Sequence, residues 1–106
     1  MFHVTGANGA FTVCNNDGHV LAQLKFDGGR LSCLNIHTQE ENLQHCILFL
    51  THNAQVTLSS YTIKEEHLAR VLDRMFDHTL VPHTRMHACH ATTLKRLREV
   101  GVSVLV

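Results

Sequence analysis

Residues 20–36 read VLAQLKFDGGRLSCLNI, and their pattern decides the fold class. Val20, Ala22, Leu24 and Phe26 recur at every second position, the period of a strand with one face against a core. Asp27-Gly28-Gly29 then turns the chain, because glycine enters the left-handed backbone region without steric penalty. Leu31 to Ile36 follows as the return strand. Upstream, Phe11 and Val13 alternate with polar neighbours before Asn15-Asn16-Asp17-Gly18, a dense turn signal. The first third is therefore expected to form a three-stranded antiparallel meander. Ahead of it, Thr5-Gly6-Ala7-Asn8-Gly9-Ala10 has no preceding strand that would make it a phosphate-binding βα unit, and it reads as a turn or loose N-terminal loop.

The pattern changes after Ile36. Thr38-Gln39-Glu40-Glu41 has the capping-box form T-x-x-E, and Leu43, Cys46, Ile47 and Leu50 follow at helical spacing, which predicts a helix over 39–51. Asn53 suits the position just past its end. Gln55 to Tyr61 alternates again and predicts a strand. A second T-x-x-E at Thr62–Glu65 opens the cleanest apolar stripe, Leu68, Val71, Leu72, Met75 and Phe76, with Glu66 and Arg70 as a favourable i,i+4 pair. This helix is expected to end near Asp77-His78. Residues 79–90 are hard to read, because Pro82 disfavours helix at Val81. A last helix begins near Thr84 or near Ala91 and stops at Gly101, and Val102 to Val106 is a short apolar strand.

The order βββ-α-β-α-(α)-β predicts one α+β domain over residues 1–106. It would have two layers, with a four- or five-stranded, mostly antiparallel sheet carrying two or three helices on one face. Core candidates include Phe11, Val13, Val20, Leu24, Leu34, Ile47, Leu50, Val56, Leu58, Leu68, Leu72, Leu97 and Val104.

Composition restricts function. The chain is 44% apolar and 17% charged, a globular balance. Nine basic and nine acidic side chains cancel, which disfavours a protein built to neutralise phosphates. The N-terminus lacks a signal-peptide pattern and the densest apolar run, Cys46 to Leu50, is too short to span a bilayer. A cytoplasmic protein with reduced thiols and no membrane contact is expected.

Ten histidines stand out, five of them (His67, His78, His83, His87 and His90) in a 24-residue stretch that also holds Cys89. On a helix, His83 and His87 stand about one turn apart, the separation at which paired imidazoles hold a metal ion. His83, His87, Cys89 and His90 are thus a candidate zinc set, with His78 as a further ligand. Against it, no structural-zinc spacing is matched, and Asp77 is the one nearby carboxylate to orient the ligands. The plainer reading makes these histidines surface and loop residues, with no cofactor.

Catalytic signatures are weak. No two cysteines form C-x-x-C. His45 and Cys46 are neighbours on a helix, so their side chains diverge by about 100°. Cys89 and His90 diverge likewise if helical, leaving a thiol-dependent enzyme with Cys89 or another thiol as nucleophile the weaker alternative. Glu40-Glu41 and Glu65-Glu66 sit at expected helix starts, where their charge complements the helix dipole. Lys95, Arg96 and Arg98 form a basic patch, but aromatics for base stacking are few and not interleaved with it, so nucleic acid is not the expected ligand. By elimination the expected function is non-enzymatic: a regulatory module that binds a protein partner stoichiometrically, as inhibitor or adaptor. Its interaction candidates are Val102, Val104 and Val106 on the last strand, with Lys95 and Arg98, and a homodimer through the strand edge is one form of it.

Overall fold

The computed structural model describes residues 2–77 and 90–106. Within them the chain forms strands β1 (His3–Ala7), β2 (Ala10–Cys14), β3 (Val20–Asp27) and β4 (Arg30–Ile36), helices α1 (Glu41–Ser59), α2 (Glu65–Asp77) and α3 (His90–Glu99), and strand β5 (Ser103–Leu105). The strands make one sheet in the order β1-β2-β3-β4-β5. The first four pair antiparallel, and β5 returns parallel to β4 after the helices. This is the expected α+β architecture of two layers. α2 packs along β1, α1 over β4, and α3 against α1 and β5.

The meander has one strand more than expected, because the segment read as a turn or loose loop is a turn with half of a hairpin attached to it. Asn8 and Gly9 both have positive φ (57° and 81°), as a two-residue hairpin turn of this hand requires, and Ala7 pairs with Ala10 across them. Gly6, at φ 143°, lies against the neighbouring strand, and a Cβ there would collide with the Ala10 carbonyl oxygen.

The predicted strand at 55–61 is absent, and α1 runs through it to Ser59. The reason is burial. Ile47, Leu50, Thr51, Ala54 and Leu58 continue one inward stripe at helical spacing, with no glycine or proline to break the helix. Val56, placed in the core by the alternating reading, is instead 52% exposed. Neither capping box forms as written. α1 starts at Glu41, and Thr38 Oγ1 accepts the Glu40 N–H outside the helix. α2 starts at Glu65, three residues past Thr62.

The core lies between the layers. It joins Val4, Phe11, Val13, Leu24 and Leu34 of the sheet to Ile47, Leu48, Leu72, Phe76 and Leu97 of the helices. Edge-to-face ring pairs fix α2 to the N-terminal strand (Phe2–Phe76, 6.3 Å) and tie β2 to β3 (Phe11–Phe26, 5.6 Å). The strict alternation expected in β3 fails at one point. A bulge sets Val13 opposite Ala22 and Cys14 opposite Val20, so Leu21 turns into the core and Val20 is left exposed.

Candidate functional site

The last strand begins with a helix stop. At the end of α3, Gly101 takes φ 90°, its N–H bonds the Arg98 carbonyl, and the Val102 N–H bonds the Leu97 carbonyl. These are the two bonds of a Schellman motif, and the apolar contact that usually accompanies them is supplied by the buried Val102 and Leu97. The stop turns the chain into β5, where Leu34 faces Val104.

Two of the expected interaction residues therefore serve the interior. Val102 and Val104 are core side chains, whereas Val106 and its neighbour Leu105 are exposed. What β5 offers outward is its backbone edge. Lys95 and Arg98 lie together on the exposed side of α3, around a shallow depression of about 430 Å³ shared with Leu94 and Glu99. Lys95 Nζ stands 3.9 Å from Glu99 Oε1.

The two edges of the sheet differ chemically. On β1, the Val4 N–H donates to Asp73 Oδ1 of α2 at 2.7 Å, so a helix carboxylate occupies part of that edge. On β5, no strand pairs with the outer side and no side chain hydrogen-bonds it among the described residues.

The described helices lie on one face, and none of the described elements covers the other face of the sheet. Thr5, Thr12, Gln23, Asn35 and Leu105 are successive partners across the strands, and Ala7, Ala10, Lys25, Cys33 and Ser103 form the next row. His37 joins this face through a 3.0 Å hydrogen bond to Gln23. A hollow of about 280 Å³ lies among Thr12, Gln23, Lys25, Cys33 and Asn35. The alternation of the strands already contained this surface as its polar half.

A second recess, of about 550 Å³, opens at one pole between the β3–β4 turn, the end of α1 and the α3–β5 turn. Asp27 and Arg30 line it together with the buried Leu31 and Leu58. No pattern in the sequence marked it, because its walls come from distant segments.

Four of the candidate metal ligands, His78, His83, His87 and Cys89, lie outside the described residues, as does Cys89 as a nucleophile; His90 opens α3. Among the described residues no three His, Cys, Asp or Glu side chains are grouped to hold a metal ion. Cys14 and Cys33 are free and half-buried, and burial pushes the Cys46 thiol up to about 11, which keeps it protonated and unreactive at neutral pH. His45 is buried, its Nε2 3.7 Å from Glu41 Oε1 one turn earlier. His52 is half-buried, and burial, aided by the Arg96 guanidinium, holds its pKa below the usual 6.5. No helix among the described residues is long and apolar enough to cross a membrane. Comparison with protein-family models, with curated proteins and with solved structures yields no match.

Proposed function

We propose that this chain is a non-enzymatic interaction module that binds a protein partner stoichiometrically, as an inhibitor or adaptor, through the open edge of β5 and the sheet face beside it. The observation that carries this reading is the contrast between the two sheet edges: Asp73 occupies β1, and nothing among the described residues occupies β5. An unpaired edge presents N–H and C=O groups in the spacing an extended segment needs to join the sheet. Proteins commonly blunt such edges with lysine, other charges or proline, and residues 100–106 contain none of these. The exposed Leu105 and Val106 add apolar contact at the same place. The two rows of residues on this sheet face carry amides, hydroxyls and a lysine but no Phe, Tyr or Trp, which suits a protein surface better than stacked bases. A second copy of the chain is one partner that such an edge accepts, giving a homodimer by antiparallel pairing across a twofold axis.

The test is affinity capture from the native cell with wild-type and Leu105→Lys baits side by side, with light scattering on each purified chain. A partner, or a dimer, held by wild type and lost with Leu105→Lys supports the reading. Partners retained equally by both baits overturn it.

A further inference from the structure

We infer that the cleft at the pole formed by the β3–β4 turn is a binding site for a small zwitterion with an apolar side chain, of the size of a free amino acid. Its volume of about 550 Å³ falls in the range of small-molecule sites. The site is independent of the β5 edge.

Most of the lining is polar, and the small exposed parts of Leu31 and Leu58 supply apolar contact. Two opposite charges belong to the same lining. Asp27 and Arg30 face each other across the ladder as the pair that closes the two-glycine turn. Yet no ion pair joins them, and neither side chain has another partner among the described residues. Two unspent, opposite charges side by side match a molecule that carries both charges on one carbon. The Arg30 guanidinium offers parallel N–H donors to a carboxylate. The Asp27 carboxylate accepts from an ammonium group.

The surrounding backbone favours the same orientation. α1 and α3 both end at this cleft, at Ser59 and just before Val100-Gly101, and each helix end carries partial negative charge that attracts the ammonium. A simple anion would meet Asp27, and a simple cation would meet Arg30, so each binds less well than the zwitterion. The ligand side chain then lies over Leu58, toward a smaller hollow of about 50 Å³ that shares Gly29 and Leu58 with the cleft and is bordered by Tyr61.

The test is a titration of the full, isotope-labelled chain with L-leucine, followed by the amide resonances of Gly28, Gly29 and Gly101. N-acetyl-leucine, which lacks the ammonium, and leucinamide, which lacks the carboxylate, are titrated in parallel. The expected result is a saturable shift with a dissociation constant on the order of 1 mM, weakened at least about tenfold for each half-ligand. Arg30→Gln and Asp27→Asn, both at exposed positions, should weaken leucine binding by a similar factor while leaving the rest of the amide spectrum unchanged. Absence of a saturable shift at about 20 mM leucine, or half-ligands that bind as well as leucine, overturns the proposal.

Discussion

Gly6 shows how much one residue can decide. Its φ of 143° suits a residue without a side chain, and the Ala10 carbonyl oxygen occupies the place a Cβ would take. Gly6→Ala should therefore destabilise the fold by about 1–3 kcal/mol or more, measured by denaturant unfolding; an unchanged midpoint would show that the β1–β2 hairpin does not hold this geometry. The turn beside it was legible in the Asn8-Gly9 pair. Gly6 itself was not, since its constraint comes from the opposing strand. His52 supplies a second case. Its proton affinity is depressed in the folded chain by burial and by Arg96, so the unfolded chain binds the proton more readily. The stability tied to neutral His52 is whole above about pH 6.5 and is lost as pH falls below that value toward the folded-state pKa. His52→Gln should accordingly flatten the decline of melting temperature between about pH 7 and pH 5. A decline as steep as that of wild type would remove His52 from the account.

At the scale of elements, α1 is the instructive one. The alternation of Gln55-Val56-Thr57-Leu58-Ser59 is that of a half-buried strand, and it is equally a helix whose inward stripe passes through Ala54 and Leu58. Five residues cannot separate the two periods, and the packing of α1 against β4, α2 and α3 selects the helix. Val56→Ala distinguishes the two states by sign. On an exposed helical position alanine should stabilise by about 0.5 kcal/mol, whereas on a strand it would destabilise by a similar amount. The buried face of α2 was legible, because its apolar stripe is long and unambiguous, although its start was not. Leu72 at its centre is 0% exposed, and Leu72→Ala should cost roughly 2–5 kcal/mol by equilibrium unfolding. A loss below about 0.5 kcal/mol would mean that this face of α2 is not core. The capping box of α1 failed for a local reason: Thr38 lies two residues ahead of the cap position, Glu40, and its hydroxyl accepts the Glu40 N–H.

For the molecule as a whole, charge and edges carry the testable consequences. Nine acidic and nine basic side chains cancel, so the ten imidazoles set the net charge near neutrality. Unperturbed, they would add roughly +2 to +3 at pH 7 and roughly +7 to +8 near pH 6. His3, His19, His37 and His67 are exposed. Electrophoretic mobility should thus shift steeply between about pH 7.5 and 5.5, and a flat profile would show that most imidazoles are held neutral. Leu105→Lys, on an exposed edge, should change folding stability by no more than about 0.5 kcal/mol even where it abolishes association. Local periodicity and turn chemistry were enough to establish three strands of the meander, the amphipathic α2 and the helix stop at Gly101, since each depends on residues within a few positions of one another. The bulge that exposes Val20, the length of α1, the burial of Val102 and Val104 and the polar cleft depend on contacts between segments far apart in the chain. Those contacts exist only once the helices have packed on the sheet, and no period in a single strand or helix encodes them.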